Sequence, residues 1–490
     1  MSTNLSRRAL FASSAAVGAA LAMPAKAWTT GPAQKTSQTD VLVIGSGLSG
    51  VVSALSAREA GANVVMIDKV RRPQRGGNSR VCLGSFLMPK NDTPEEKKAF
   101  IEDVKAKSMG GGRIDLYEVL ADQILPAVKW AESKGVKFEP WLQQAPWRVG
   151  VRIASPGQYR GMPKLLETLH EAFEKAGGQE RFNVKAKALL LNEKGAVCGC
   201  RVLTASGYED IHAKAVVIAT GGYSANRAML ESCHPGGGSI LIRGNKWITG
   251  DGILLAQEIG AGVRGMAGEE SLHLPIVYVG PKGNGSPTRA LPYCIGINEG
   301  GKRFADESAG YASFGKAVLR QTNQHAALVF DEEMKKSEKR IDMCIELFEK
   351  AGGGFVSAKN AEDLAQQLGM PALTLRATIE SFNKEVKDGK ALAADPPKKS
   401  LATPLNPDGP LYAFWPLTPS ITMTYGGLMV DRETRVLEPD ERVINGLYAV
   451  GEAINLYYQD YHGGGELAQG LAFGRLAGQG AAAYAKKVAA

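Results

Sequence analysis

The chain has 490 residues, of which 44% are hydrophobic and 22% are charged, and its formal net charge is +8. This length favours two or more domains, and the composition is typical of a globular protein. No basic run is interleaved with aromatic residues, so nucleic acid is not expected as a partner. The 58 glycines indicate many tight turns and close approaches of the backbone to a ligand.

The first residues have the pattern of an export signal. Residues 6–11 read S-R-R-A-L-F, residues 9–23 are apolar, and residues 25–27 read A-K-A. Twin arginines, an apolar run and an A-x-A site in this order predict a twin-arginine signal peptide over residues 1–27 and a periplasmic location. A disordered basic tail is the alternative. The apolar run is shorter than the ~20 residues of a membrane span, so we do not expect an integral membrane protein.

The six cysteines are scattered at positions 82, 198, 200, 233, 294 and 344. A disulfide-stapled scaffold would be smaller and denser in cysteine. No C-x-x-C motif is present for zinc or for haem attachment. We therefore expect six packed thiols, no metal site, and electrons that are exchanged with a separate carrier.

A dinucleotide-binding signature lies at residues 40–68. An apolar strand runs into G-S-G-L-S-G, whose glycines are Gly45, Gly47 and Gly50, and a helix is predicted over residues 51–60. A second apolar strand ends at Asp68, 18 residues after the last glycine. The first glycine turns the chain, the second admits a pyrophosphate, and the third lets helix and strand pack closely. The helix N-terminus then attracts the phosphates, so the signature predicts a βαβ unit that binds a dinucleotide.

The rest of the chain alternates helices and strands before its texture changes. Helices are predicted over residues 95–106, 116–134, 164–177, 361–388 and 467–488, and strands over 182–186 and 197–203. Buried strands that end in glycine turns recur at 215–222 and 447–452. Glycine-rich sequence begins near residue 234, and a proline-rich linker is predicted at 390–410. Segments far apart in sequence are therefore expected to meet at one ligand, with an inserted domain between the last two turns.

Seven motifs occur along the chain, namely residues 40–68, G-G-N-S at 76–79, A-T-G-G at 219–222, T-G-D-G at 249–252, G-K-R-F at 301–304, G-G at 426–427 and G-L-Y-A-V-G-E at 446–452. They stand in the order typical of the fumarate reductase/succinate dehydrogenase flavoprotein family, which the chain resembles over essentially its whole mature length. The resemblance implies an α/β fold, with a Rossmann-like FAD-binding domain and an inserted α+β capping domain. The expected boundaries are 28–235 for the first part of the FAD-binding domain, 236–395 for the capping and substrate domain, and 396–490 for the return segment.

The resemblance also implies which residues contact FAD. Ser49 and the glycine loop would face the pyrophosphate, Asp68 the ribose (most relatives have Glu here), and Val184 the adenine. The other implied cofactor residues are Asn78, Ser79, Leu83, Gly84, Gly221, Asp251, Glu452, Glu466 and Leu467. No histidine follows G-G-N-S, so FAD is expected to be non-covalent. The soluble branch of the family, which this resembles, includes flavocytochrome fumarate reductases, urocanate reductase, tricarballylate dehydrogenase and ketosteroid dehydrogenases.

The positions that hold the dicarboxylate in fumarate reductases differ in this chain. Of two arginines and two histidines only His273 matches, whereas Tyr311 and Tyr461 stand at the arginine positions and Met423 at the other histidine position. A tyrosine offers one neutral hydroxyl in place of a cationic fork of donors. We therefore expect a substrate that is not fumarate and is not held as a dicarboxylate.

The segments around the two tyrosines are similar to the catalytic tyrosine segments of ketosteroid dehydrogenases. This resemblance implies that Tyr311 handles the proton, while Tyr461 and the Gly465 N–H polarise a carbonyl oxygen. His462 or Asp460 would assist a tyrosine that acts as a base. The alternatives are a packing role for Tyr311 and a hydrogen-bonded turn for His462.

Together these features predict an exported FAD-dependent oxidoreductase that acts on CH–CH groups of a small molecule. Hydride would be exchanged with flavin N5 at a bond conjugated to a carbonyl or acyl group. The leading hypothesis is a reductase fed by a c-type cytochrome or a quinone-linked partner, as in anaerobic respiration. A ketosteroid-type dehydrogenase working in the oxidative direction is the alternative. A non-catalytic flavin electron carrier is disfavoured, because an inserted domain would cover the flavin.

Overall fold

The computed structural model describes residue 33 and residues 35–82, 84–141, 150–153, 161–460 and 463–489. The predicted signal peptide, Leu83, Tyr461 and His462 lie outside the described residues. The helices of the described part are α1 (Leu48–Glu59), α2 (Pro94–Lys107), α3 (Ile114–Ser133), α4 (Met162–Lys175), α5 (Arg227–Cys233), α6 (Asp251–Gln257), α7 (Tyr311–Leu319), α8 (Glu332–Ser337), α9 (Lys339–Ala351), α10 (Ala361–Leu368), α11 (Ala372–Glu385) and α12 (Gly465–Lys487). Within these ranges we find no helix with the length and apolarity of a membrane span.

The first sheet contains eight strands and carries the dinucleotide signature. Its strands are β1 (Lys35–Ile44), β2 (Val64–Asp68), β6 (Gln179–Phe182), β7 (Lys185–Leu191), β8 (Val197–Thr204), β9 (Gly207–Ile218), β21 (Arg435–Leu437) and β22 (Val443–Ala449). The spatial order is β21-β22-β9-β1-β2-β6, with β8 also on β9 and β7 on β8. Because β22, β9, β1, β2 and β6 pair in parallel, their carboxyl ends meet at one edge, where open α/β sheets bind ligands.

The last helix packs directly on the first. Glycines along α12 remove the side chains that would separate the two backbones. A Cβ atom added at Gly478 would lie 2.2 Å from the carbonyl oxygen of Ser53, and one at Gly474 would lie 2.9 Å from that of Ser49. The small-residue pattern of the C-terminal helix is therefore explained by its close approach to α1, the helix that carries the glycine loop.

The second sheet belongs to the inserted part of the chain and has seven strands. They are β10 (Leu241–Ile242), β13 (Ile276–Gly280), β14 (Gly283–Gly285), β15 (Ile295–Ile297), β16 (Ala326–Asp331), β17 (Phe355–Ala358) and β18 (Leu411–Ile421). Two buried hydrophobic clusters form on it, one including α10 and α11 and the other including α7 and α9. The predicted α/β fold with an inserted α+β domain is confirmed. Strand β18 lies beyond residue 395, the predicted end of the insertion, and the domain boundaries stay a prediction.

Short sheets join these parts. They are the three-stranded sheet of β3 (Ser85–Leu87), β4 (Phe138–Trp141) and β5 (Gly150–Ile153), and the strand pairs of β11 (Val263–Arg264) with β20 (Gly427–Leu428) and of β12 (Leu272–His273) with β19 (Met423–Thr424). All six cysteines are free thiols, as expected. The helix predicted over residues 361–388 is two helices, because Gly369 adopts a left-handed φ of +70° and Pro371 follows it.

Candidate active site

A cavity of about 760 Å³ runs along the carboxyl edge of the first sheet and reaches residues of the inserted domain. This volume lies within the roughly 300–1,000 Å³ of small-molecule and cofactor sites. Most residues that the sequence assigned to the cofactor line it. They are Gly45, Gly47, Ser49, Asp68, Asn78, Ser79, Gly84, Val184, Gly221, Asp251, Glu452, Glu466 and Leu467. His273, Tyr311 and Met423 line the same cavity.

The glycine loop between β1 and α1 leaves one face open to this cavity. Gly45 has a φ of +112°, and a Cβ atom there would lie 2.3 Å from the carbonyl oxygen of Ala219. Gly50 packs behind the loop, since its added Cβ atom would lie 2.0 Å from the carbonyl oxygen of Gly45. At Gly47 the nearest atoms to such a Cβ are 3.7 and 3.8 Å away. The loop and the N-terminus of α1 therefore present a cradle for an anionic group.

Asp68 ends β2 and ties the loop to the neighbouring strands. Its Oδ2 accepts a hydrogen bond from the backbone N–H of Ser46 at 2.9 Å, and its Oδ1 accepts one from Val70 N–H at 3.1 Å. The N–H of Val184 donates to the Asp68 carbonyl oxygen at 3.0 Å. Asp68 and Val184 are thus adjacent at one end of the cavity, as the family resemblance requires of residues that face ribose and adenine.

The carboxyl-bearing residues Glu452 and Glu466 also line the cavity. Glu452 Oε1 accepts from the Thr424 N–H at 3.0 Å and Oε2 from Asn78 Nδ2 at 2.9 Å. Burial raises the pKa of Glu452 to about 7. Glu466, which accepts from Gln469 Nε2 at 2.8 Å, has a pKa raised to about 8 by burial and by the charge of Glu452. A carboxyl that holds its proton near neutral pH can both donate and accept hydrogen bonds.

His273 and Tyr311 meet at the other end of the cavity. The Tyr311 hydroxyl lies 3.2 Å from Nε2 of His273, and Nδ1 of the same ring is hydrogen-bonded to the Thr422 hydroxyl. Strand β12 places His273 opposite Met423, and Tyr311 is the first residue of α7. Burial, followed by the positive charge of Arg243, lowers the pKa of His273 to about 3. The imidazole is therefore neutral at physiological pH, with one N–H to donate and one nitrogen to accept.

The segment that precedes Tyr461 is anchored to α7. Asp460 is 6% exposed, and its Oδ2 accepts from Ser313 Oγ at 3.0 Å and lies 3.5 Å from Lys107 Nζ. Lys316 Nζ donates to the carbonyl oxygen of Gln459, and burial lowers the pKa of Lys316 to about 8. The two residues predicted to follow in the site, Tyr461 and His462, lie outside the described residues.

Beyond them the chain returns to the cavity. Gly463 and Gly464 line it, and Gly465 is the first residue of α12. A Cβ atom at Gly465 would lie 2.9 Å from the Tyr457 hydroxyl, so this residue is packed against a neighbouring side chain.

The sequence analysis did not identify Thr422 or Arg243, both of which line the cavity. Neither belongs to a recurring motif. Arg243 precedes T-G-D-G by six residues, and Thr422 lies four residues before Gly426. Spacing to these motifs is the signal that would have placed both residues near the flavin region.

Comparison with known proteins places this geometry in context. The FAD binding domain family matches residues 40–469. The probable fumarate reductase Ifc3 of Shewanella frigidimarina (strain NCIMB 400) is 32% identical over 475 residues, which cover 94% of this chain and 77% of that protein.

Two solved structures resemble the whole described fold. The open conformation of a flavocytochrome c3 fumarate reductase has a TM-score of 0.73 at 30% identity and covers 94% of this chain and 80% of its own. The 3-ketosteroid delta1-dehydrogenase from Sterolibacterium denitrificans, in complex with 1,4-androstadiene-3,17-dione, has a TM-score of 0.76 at 21% identity. The match covers 91% of this chain and 99% of that one. At that identity the second likeness concerns the fold alone.

Proposed function

The chain belongs to the FAD binding domain family, and from this premise we propose that it is an exported reductase of C=C bonds conjugated to a carbonyl or acyl group. It is an FAD-dependent oxidoreductase of CH–CH groups. The proposal concerns the substrate class, the direction and the residues that handle the proton. The pair formed by Tyr311 and His273 carries it.

The cavity fits FAD. Gly45, Gly47 and the N-terminus of α1 form an anion cradle at one point, and Asp68 would accept a hydrogen bond from a ribose. Asn78 and Glu452 would hold hydroxyl groups of the linking chain, since both line the cavity and are hydrogen-bonded to each other. Bound FAD supplies the hydride that is exchanged with a substrate carbon. We propose non-covalent attachment, because residues 76–84 contain no histidine.

The proton would be moved by Tyr311. In the reductive direction the Tyr311 hydroxyl would donate its proton to the substrate carbon and become a phenolate. In the tautomer whose proton is on Nε2, His273 would donate to that phenolate oxygen and accept from the Thr422 hydroxyl at Nδ1. Thr422, His273 and Tyr311 thus form a hydrogen-bonded chain that would stabilise the phenolate until solvent returns the proton. Such a positioned acid–base group contributes roughly 10²–10⁴-fold to turnover.

We assign the polarisation of the carbonyl oxygen to Tyr461 and the Gly465 N–H. The first N–H groups of a helix have no intrahelical partner, and the N-terminus of α12 carries the positive end of its dipole. The preceding residues, Gly463 and Gly464, line the cavity, which supports this assignment. One donor aimed at the developing oxyanion contributes about 3 kcal/mol.

Export and reduction form one proposal. The S-R-R-A-L-F pattern supports the twin-arginine route to the periplasm, where electrons would come from a c-type cytochrome or a quinone-linked protein. The relative from Shewanella, which is a probable fumarate reductase, supports the reductive direction. A ketosteroid-type dehydrogenase is the second candidate, favoured by the tyrosines at positions 311 and 461.

The test uses the purified enzyme with reduced viologen as electron donor. Fumarate should turn over poorly, and cinnamate or 4-phenylbut-3-en-2-one should turn over better. Tyr311→Phe should lower kcat by roughly 10²-fold or more while FAD stays bound, and Tyr461→Phe should also weaken turnover. Tyr278→Phe is the matched control, because Tyr278 stacks on Phe348 in the inserted domain. Fast fumarate reduction, or a fully active Tyr311→Phe enzyme, would contradict the mechanism.

A further inference from the structure

Arg243 and Thr422 both line the cavity, each directly after one of two paired strands. Arg243 follows β10, which pairs in parallel with Ser420 and Ile421 of β18, and its backbone N–H donates to the carbonyl oxygen of Ile421 at 2.8 Å. The next residue is equally confined, since a Cβ atom at Gly244 would lie 2.5 Å from the Thr422 carbonyl oxygen. The backbone from which the guanidinium extends is therefore fixed beside Thr422.

His273 approaches the same residue from the other side. Its Nδ1 is hydrogen-bonded to the Thr422 hydroxyl, and its Nε2 lies 3.2 Å from the Tyr311 hydroxyl. After burial, the positive charge of Arg243 contributes to the lowered pKa of His273. Arg243, His273 and Tyr311 all line the one cavity.

We propose that Arg243 binds a carboxylate of the substrate, so that the preferred substrate is an α,β-unsaturated monocarboxylate. This inference rests on the proposed function and narrows its substrate class. A guanidinium matches a carboxylate with two parallel hydrogen bonds, and its charge persists at any relevant pH. The tyrosines at positions 311 and 461 carry no positive charge. Arg243 would therefore supply the cation beside the reacting groups.

The same geometry explains why one carboxylate fits and two do not. A second carboxylate would face the neutral His273 and the neutral Tyr311 hydroxyl, and a buried anion without a cation costs several kcal/mol. Of the other cations that line the described cavity, Lys69 is 2.9 Å from Asp251, and Arg289 Nη1 lies 4.0 Å from the sulfur of Met343.

The test compares an acid with a ketone of the same shape on the FAD-loaded enzyme. Cinnamate and 4-phenylbut-3-en-2-one are titrated against the wild type, Arg243→Gln, Arg243→Lys and Lys246→Gln, and the dissociation constants are read from the flavin absorbance. Lys246 is the matched control, because it lies three residues away and stacks its ammonium over Trp247, 5.3 Å from the ring centroid. Lys246 does not itself line the cavity, so removing its charge changes the same loop without removing a cation from the lining.

Cinnamate should bind the wild type at least about tenfold more tightly than the ketone does. Arg243→Gln should raise the dissociation constant for cinnamate by about tenfold or more. The affinity for the ketone should change by less than about twofold. The dissociation constant of Arg243→Lys for cinnamate should lie between those of the wild type and Arg243→Gln. That of Lys246→Gln should match the wild type.

Unchanged cinnamate binding in Arg243→Gln, or an equal loss for acid and ketone, overturns the proposal. A shifted flavin reduction potential with unchanged cinnamate affinity also overturns it, because Arg243 would then serve the flavin. Failure of the proposed function looks different: the wild type would bind cinnamate, yet reduced viologen would drive no reduction of acid or ketone.

Discussion

Ser313 Oγ donates a hydrogen bond to Asp460 Oδ2 at 3.0 Å and thereby joins α7 of the inserted domain to the segment before Tyr461. Lys107 and Lys316 lie on either side of this link, the first 3.5 Å from the Asp460 carboxylate and the second hydrogen-bonded to Gln459. The buried Asp460 carboxylate therefore ties residues 459–460 to the helix that begins with Tyr311.

Replacing Asp460 with asparagine should destabilise the protein and slow its reaction. The change removes the counter-charge of Lys107 at 3.5 Å and one of the two acidic charges that act on Lys316, and breaking a buried ion pair costs about 3–5 kcal/mol. The thermal midpoint should fall by several degrees, and kcat should fall about tenfold or more while FAD content stays constant. Asp440→Asn, which alters an exposed pair with Arg442, should change neither quantity. An Asp460→Asn enzyme as stable and active as the wild type would exclude this positioning role.

The attachment of FAD can be read directly from acid precipitation. The stretch 76–84 has no histidine to form a covalent bond, so denaturation should release all of the flavin. We expect a yellow supernatant and a colourless pellet after trichloroacetic acid treatment. Flavin fluorescence that remains with the precipitated protein would show a covalent bond and refute non-covalent binding.

Export should depend on Arg7 and Arg8. Twin-arginine signals are read by a receptor, so replacing both residues with lysine should leave a precursor of unprocessed mass in the cytoplasm. Immunoblots of the cytoplasmic and periplasmic fractions measure this, and Lys26→Arg, which keeps both arginines, is the control. Processed, active protein in the periplasm of the double variant would contradict the twin-arginine prediction.

The stability of the flavin-free chain should depend on pH through Glu466. Its pKa is raised from 4.5 to about 8 in the folded chain. As the pH rises between these values the unfolded chain loses a proton that the folded chain keeps, so the free energy of unfolding decreases.

Glu466→Gln removes this effect. The variant should gain stability relative to the wild type between about pH 5 and pH 8, by roughly several kcal/mol. Urea unfolding at the two pH values measures the gain. A difference that does not grow with pH would show that Glu466 is ionised in the folded chain.

Helices and strands whose bounds depend on local sequence pattern were predictable from the sequence. Strand β2 (Val64–Asp68) was predicted at its observed bounds, and α2, α3, α4 and α12 begin and end within two residues of their predicted bounds. Each of these elements is an apolar or amphipathic stretch with a glycine or a proline within a few residues of one end. The glycine loop was placed for the same reason.

Contacts between distant segments were not predictable from local pattern. The pairing of His273 with Met423 joins residues 150 positions apart, and Arg243 reaches the site only because β10 adds to the edge of β18. Neither short strand has a periodicity of its own. Family resemblance located His273 and Tyr311 separately, but their 3.2 Å contact joins residues 38 positions apart, which no local pattern predicts.

The sheet order also constrains when the protein can acquire its cofactor. Strand β22, formed by residues 443–449, completes the parallel edge beside β9, and α12 covers the helix of the glycine loop from the far end of the chain. A ribosome that has made only the first half of the protein has therefore made half a binding site, with its helix uncovered. The binding site is complete only after residues 443–487 have been made, because Glu452, Glu466 and Leu467 line the cavity. Any translocation machinery that accepts this chain with flavin in place must accept it already folded.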